Sequence, residues 1–202
     1  MTLLSLQRAR FNLAAHRLSQ LPADEGVEVA FAGRSNAGKS SALNALTGQH
    51  ALARTSRTPG RTQQMVVFVL DEAHRLVDLP GYGYAKVPEH MRAHWRKEID
   101  AYLNCRASLH GVVLVADIRH ELKAFDRQML HFCAASGLRC QLLLTKADKL
   151  SRSRAATAVQ NARTLCSREG WDAGVLAFSS SAGTGVDEAR QAIVSMLAAN
   201  GD

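Results

Sequence analysis

Gly33-Arg34-Ser35-Asn36-Ala37-Gly38-Lys39-Ser40-Ser41 follows the apolar run Val27-Glu28-Val29-Ala30-Phe31-Ala32 and leads into Ala42-Leu43-Asn44-Ala45-Leu46. The spacing is G-x-x-x-x-G-K-[ST], set between a strand-like run and a helix-compatible stretch. Glycines let the backbone fold tightly, so that successive N–H groups point inward at phosphate oxygens. The following helix adds the positive end of its dipole. Lys39 is suited to neutralise β- and γ-phosphate charge, and the Ser40 hydroxyl to ligate Mg²⁺. The bland alternative is a glycine-rich strand–helix turn. The complete pattern in this context argues against it, but the loop alone does not choose between ATP and GTP.

Around this loop, apolar β-branched runs alternate with helical patterns, which predicts an α/β domain. Strands are expected at 27–32, 65–70, 74–79, 111–117, 139–145 and 174–178, giving a mostly parallel six-stranded sheet with helices on both faces. Helices are expected at 39–47, 89–104, 122–136, 154–168 and 187–199. Residues 1–26 form an extension in which Phe11, Ala14, Ala15 and Leu18 suggest one short amphipathic helix, broken by Pro22 and Gly26. Residues 27–202 form the nucleotide-binding domain.

Choice of base is argued at Thr145-Lys146-Ala147-Asp148, which ends the fifth apolar run. In an open parallel sheet, ligands sit beyond the carboxyl ends of the strands. An aspartate there accepts two hydrogen bonds, from guanine N1–H and its exocyclic amine. Adenine would leave the carboxylate unpaired, and sites built to bond a group reject analogues lacking it. The Lys146 stem is suited to lie along the base plane. Phe178-Ser179-Ser180 is placed to offer backbone N–H groups to guanine O6, although serine-rich loops are common.

Asp78-Leu79-Pro80-Gly81 ends the third run. Asp78 is a candidate to hold magnesium through water, and the Gly81 N–H to meet the γ-phosphate. Upstream, the stretch from Thr55 to Gln63 lacks apolar periodicity. Such a segment can order around a ligand and release afterwards; a plain surface loop is the alternative. Thr62 is the candidate for a second hydroxyl on magnesium, with Thr55 and Thr58 as competitors that spacing does not separate. Lys39, Thr62 and Gly81 are the candidate catalytic positions. Many GTPases carry a glutamine directly after the DxxG glycine to orient water. Here that position is Tyr82, so slow intrinsic hydrolysis is expected.

Net charge is +7 and hydrophobic content 47%, ordinary for a globular chain with a basic surface. No apolar run approaches the ~18–20 residues needed to cross a bilayer. Gln7, Arg8 and Arg10 interrupt the N-terminal leucines, so no signal peptide and no stable membrane association are expected. Cys105, Cys133, Cys140 and Cys166 show no metal-ligand spacing and read as free thiols of a cytoplasmic protein.

Taken in order, GRSNAGKSS, TPGRTQ, DLPGYGYAKV, TKAD and FSS resemble the EngB family of bacterial GTPases, in the Era-like group. The likeness spans nearly the whole chain, and DLPGYGYAKV is its most specific piece. It implies a P-loop GTPase fold that binds GTP and GDP. It implies Mg²⁺ on Ser40 and Thr62, with Gly60, Arg61 and Gln63 beside the nucleotide. It also implies a role in large ribosomal subunit assembly, with normal cell division and septation linked to it. The resemblance to Era-like GTPases suggests that Asn36 helps hold K⁺ between the phosphates; a local loop-capping hydrogen bond is the equal alternative. One departure is Val66-Val67-Phe68, where the family often has an Asn-Phe-Phe-like strand.

The expected partner is the large ribosomal subunit or its precursor, met as a monomer through ribosomal RNA. Arg54, Arg57 and Arg61 flank Thr62, while His90, Arg92, His94, Arg96 and Lys97 follow DLPGYGYAKV. Both groups are candidate RNA contacts; a solvated basic face is the alternative. Two other functions stand beside this one: a GTP-gated division scaffold that never touches RNA, and a metabolic ATPase or kinase, which TKAD disfavours.

Overall fold

In the computed structural model, residues 4–53, 64–82 and 89–198 are described, the side chains of residues 89–96 excepted. The strands are β1 (Arg10–Ala15), β2 (Val27–Gly33), β3 (Met65–Val69), β4 (His74–Asp78), β5 (Leu109–Asp117), β6 (Arg139–Thr145) and β7 (Ala173–Ala177). The helices are α1 (Lys39–Thr47), α2 (Glu89–Cys105), α3 (Ala124–Ala135), α4 (Arg152–Glu169) and α5 (Val186–Ala198). One seven-stranded sheet runs β1-β3-β4-β2-β5-β6-β7 among the described residues. Pairings among β4, β2, β5, β6 and β7 are parallel; β3 and β1 join antiparallel.

The continuous apolar strands are explained by burial on both faces. Every residue of β2 is buried. Its Ala30 and Ala32, with Val112 and Leu114 of β5, pack against Tyr102 of α2, Met129 and Leu130 of α3 and Ala162 of α4. Val29 and Phe31, with Val113 and Val115, face Leu43 and Leu46 of α1 and Ile193 and Leu197 of α5. Alternation of side chains along the strand thus assigns α2, α3 and α4 to one face and α1 and α5 to the other.

The extension departs from expectation. Phe11, Ala14 and Ala15 lie in β1, which pairs with β3 from Arg10↔Val69 to Ala15↔Met65 and makes the seventh strand. Leu18 starts a three-residue 3₁₀ turn. Leucine and alanine favour helix locally, but the unpaired edge of β3 supplies a ladder, and tertiary pairing overrides weak propensity. Residues 1–26 therefore build part of the same sheet.

A charge network closes the end of the sheet opposite the phosphate loop. The Glu28 carboxylate is fully buried; it accepts from Arg106 at 2.7 and 3.1 Å and from the Tyr102 hydroxyl at 3.0 Å. Arg75 Nε lies 3.3 Å away. Asp24 accepts from the backbone N–H groups of Ala107 and Ser108, and so pins the segment before β2 to the one before β5. Removing one partner of a buried pair strands the other charge. Arg106→Ala should cost about 3 kcal/mol, at the low end for such pairs because Arg75 remains beside Glu28. Urea unfolding of the two proteins checks this.

Candidate nucleotide-binding site

Parallel strands β2, β4, β5 and β6 bring their carboxyl ends to one rim, and predicted site segments lie at the ends of β2, β4 and β6 there. Gly33 ends β2. A Cβ on Gly33 would stand 2.6 Å from the Val115 carbonyl oxygen, so only glycine lets the chain leave the sheet here. Asn36 (φ 62°) and Gly38 (φ 95°) are left-handed, turning the loop back before α1 starts at Lys39. Left-handed residues in such a loop favour an anion-binding backbone concavity, in which Ser35 N–H is bonded to Tyr82 O and Ala37 N–H to Arg34 O.

Lys39 is buried and forms an ion pair with Asp78 at the end of β4. The predicted phosphate cation and the predicted magnesium carboxylate thus touch each other. Ser40, the second residue of α1, is half-buried at the same helix N-terminus. Among the described residues no three His, Cys, Asp or Glu side chains gather as a metal centre. One hydroxyl and one carboxylate suit Mg²⁺, which usually rests on one or two protein groups and on substrate phosphates. The residues present fit that ion.

Leu79, Pro80 and Gly81 are buried along the rim, with Leu79 N–H donating to Phe31 O at 3.0 Å. Tyr82 donates its N–H to Gly33 O at 3.3 Å, and its own carbonyl accepts from Ser35 N–H at 2.9 Å. Its ring stacks on Phe125 with centroids 3.8 Å apart, and its hydroxyl donates to Asp126 at 2.7 Å. Burial first, and the Asp126 carboxylate second, push the phenol far above its ordinary pKa, so it stays protonated. Tyr82 is therefore a fastener between the phosphate loop and α3.

At the end of β6, Thr145 Oγ donates toward the Ala37 and Ala116 carbonyls, sharing one proton. Lys146 (φ 62°) turns its ammonium back over the phosphate loop, to Asn36 O at 2.7 Å and Asp117 Oδ2 at 2.8 Å. Ala147 is buried, its N–H bonded to Phe178 O at 3.1 Å. Asp148 accepts from Ser179 Oγ at 2.7 Å and pairs with Lys149 at 3.0 Å; the Ser179 bond first, and Lys149 second, lower its pKa.

The Phe178-Ser179-Ser180 expectation needs correction. Phe178 N–H is committed to Leu144 O at 2.8 Å and Ser179 N–H to Thr184 O at 2.9 Å, because the chain must close its turn before α5. Ser180 N–H makes no backbone bond among the described residues and remains the donor candidate, while Ser179 contributes by orienting Asp148. Gly60, Arg61, Thr62 and Gln63, with Thr55 and Thr58, lie outside the described residues. So do Arg54 and Arg57 and the side chains of His90, Arg92, His94 and Arg96; Lys97 is exposed on α2.

Asp117 was not among the expected site residues. Burial would raise its pKa, but hydrogen bonds from Arg119 and Lys146 outweigh that and hold the carboxyl well below the usual range. Its one sequence signal is a strand-end carboxylate, the same signal that marked Asp78 and Asp148. A 240 Å³ cavity bounded by Arg34, Ser35, Asn36, Asp117, Lys123 and Lys146 lies against the loop. A larger 740 Å³ cavity between α4 and β7 reaches the site only through Ala147 and Asp148.

A phosphate loop at the end of the central strand, a lysine–carboxylate pair beside it and a TKAD loop anchored over it define a P-loop GTPase. A family model described as "50S ribosome-binding GTPase" matches residues 28–146. The probable GTP-binding protein EngB of Stenotrophomonas maltophilia (strain K279a) is 60% identical over 192 residues, covering 94% of this chain and 96% of its own. That of Xanthomonas axonopodis pv. citri (strain 306) is 53% identical over 199 residues, covering 98% and 93%. This chain belongs to the EngB family of GTP-binding proteins. In fold it is similar to a crystal structure of a probable GTP-binding protein EngB (TM-score 0.66, 21% identity, 85% and 98% covered). It is similar in fold, too, to a point variant of Aquifex aeolicus Era bound to GDP·AlF4⁻ (TM-score 0.69, 18% identity, 88% and 58% covered). Among the described residues no helix is long and apolar enough to cross a membrane, and the four cysteines are free thiols.

Asp148→Asn should weaken GTP and GDP binding and favour xanthine nucleotides, whose C2 carbonyl accepts from the new amide; competition binding with GTP, XTP and ATP checks it. A depressed native pKa stabilises the fold above the ordinary carboxylate range, and that stabilisation is lost as pH falls toward the native value. Asp117→Asn should therefore flatten the loss of stability below about pH 4, read from urea midpoints across the acid range.

Proposed function

We propose that this GTPase is a slow Mg²⁺-dependent switch whose GTP-bound form acts in assembly of the large ribosomal subunit, with cell division dependent on that role. The observation that carries the slow rate is Tyr82. The position that holds a water-orienting glutamine in many GTPases here holds a phenol tied to Asp126 and stacked on Phe125. That side chain has no amide to offer and is already engaged.

The site residues divide the work. Lys39 and the loop N–H groups hold the polyphosphate, and Asp148 with Ser180 N–H reads the guanine edge. Lys146 keeps the base loop registered on the phosphate loop. Gly81 N–H, at the end of the segment fastened by Tyr82, detects the γ-phosphate. Ser40, Thr62 and Asp78 would hold Mg²⁺, which would supply charge neutralisation to the polyphosphate. Phosphate oxygens would compete with the Asp78 carboxylate for the Lys39 ammonium, so nucleotide entry would free Asp78 to help hold the ion. Hydrolysis would then rest on charge stabilisation, to which Asn36 would contribute by helping to hold K⁺.

The ribosomal reading is supported by the description of the matching family model and by the net charge of +7. Its test is sedimentation of the full chain with 50S particles. Association is expected with a non-hydrolysable GTP analogue, reduced with GDP, and falling steeply with salt. Lack of association in both nucleotide states overturns the reading and favours a division scaffold that does not touch RNA. Single-turnover hydrolysis should be slow in Na⁺ and faster in K⁺ at matched ionic strength, with the difference abolished in Asn36→Ala. Equal rates for wild type in the two salts remove the potassium role.

A further inference from the structure

β1 forms one outer edge of the sheet, and its sequence is unusual for an edge. Residues 4–23 contain Arg8, Arg10, His16 and Arg17 and no acidic residue. All four are exposed and make no ion pair among the described residues. Among the described residues Phe11 is the one exposed large hydrophobic side chain, at 61%.

Its exposure has a structural cause. Phe11 pairs with Phe68 and Leu13 with Val67, so Asn12 is bulged out of the ladder. Phe68 and Val67 point to opposite faces of the sheet, Phe68 among the residues packed with α1 and α5, Val67 toward α2, α3 and α4. Leu13 follows Val67 and packs beneath that layer. In a regular, unbulged strand of the same sequence, Phe11 would share the face of Leu13 and Ala15. The bulge turns it to the other face, where it remains in solvent; bulges re-aim side chains in this way.

The strand is firmly held. Gln49 donates to Gln7 O at 3.1 Å and Ala9 O at 2.8 Å; His16 meets Gln64 at 2.9 Å; Leu18 N–H donates to Glu98 at 2.8 Å. Leu6 and Ala9 are buried beneath it. An exposed aromatic ring, exposed arginines before and after it in the chain and an ordered backbone make the combination that stacks an unpaired base and tracks its phosphates. A bulge and a charged edge discourage an added protein strand. A lone ring on a strand lacks the apolar helix face of a membrane-surface binder.

We infer that the β1 edge, with Phe11 as stacking platform and the exposed Arg8, Arg10 and Arg17 before and after it in the chain, binds unpaired RNA. This rests on the ribosomal reading for its biological partner, but the surface itself is tested without ribosomes. The full chain, loaded with Mg²⁺ and a GTP analogue, is titrated into a labelled single-stranded RNA of about 12 nucleotides, within the site size of such surfaces, a duplex RNA of equal length and phosphatidylglycerol vesicles. Expected is a preference for the single strand. Phe11→Ala should weaken it by roughly tenfold or more, leaving guanine-nucleotide affinity and the thermal midpoint unchanged. Arg10→Gln should lower the salt slope by about 0.7 for one lost phosphate contact.

Equal binding of the oligonucleotide by Phe11→Ala and wild type overturns the inference. So does equal affinity for duplex, or binding to vesicles in place of RNA. Sedimentation with 50S particles separates the two readings. A wild type that binds the oligonucleotide through Phe11 but not the particles overturns the ribosomal role and supports the surface. A wild type and Phe11→Ala that sediment alike with the particles overturn the surface as the ribosomal contact.

Discussion

The Lys146 ammonium holds the site together. It reaches the Asn36 carbonyl at 2.7 Å and the Asp117 carboxylate at 2.8 Å, so one side chain joins the base loop, the phosphate loop and the end of β5. The geometry is demanding. Lys146 must adopt a left-handed backbone at the end of β6, and Asn36 must do the same in the loop it meets. Neither conformation is cheap for a residue with a Cβ. Thr145, one position earlier, adds its hydroxyl to the same closure through Ala37 and Ala116. A pocket shaped for one base and one phosphate chain depends on these loops keeping register, because recognition fails with displacements of about an ångström.

The same parallel sheet that collects carboxyl ends at the site collects amino ends at the opposite rim. There Glu28 lies fully buried on β2 between Arg106, Arg75 and the Tyr102 hydroxyl. A buried ion pair adds little net stability over an apolar core, but removing one partner leaves the other charge buried and unpaired. Tyr102 and Arg106 lie at the carboxyl end of α2 and just beyond it, so this cluster fixes where that helix ends. Tyr82 performs the matching task at the other rim, binding Ser35 and Gly33 through its backbone and Asp126 through its hydroxyl. The two fasteners stand at opposite ends of β2, the strand that carries the phosphate loop.

The two sheet edges differ in how they are protected. At β7, α4 packs alongside and Arg163 donates to the Val175 carbonyl at 3.0 Å. At β1, the protection is charge and a bulge, with no helix over Phe11 among the described residues. This asymmetry leaves Phe11 and the arginines of the N-terminal edge uncovered, with His16 meeting Gln64 at 2.9 Å.

Sequence alone determined the parallel strands, the phosphate loop and the place of Asp148 just beyond β6. Those features are local: a buried strand needs a continuous apolar run, and a phosphate cradle needs glycine and lysine at fixed offsets whatever surrounds them. Helix α1 and strand β6 fall where their patterns end. Tertiary structure decided β1, because Arg10 to Ala15 acquire their ladder from residues at least fifty positions away, and Leu and Ala do not declare a strand without it. It decided that Ser179 N–H closes a turn instead of facing the base, since the partner is Thr184 across a loop. It decided the roles of Tyr82 and Glu28, whose partners are brought from other elements of the chain, and of Asp117, which meets Lys146 beyond β6 as well as the neighbouring Arg119. Motif spacing fixes which chemistry is available; the direction of each polar group is set by the requirement that buried donors and acceptors find partners, which only the packed chain can satisfy.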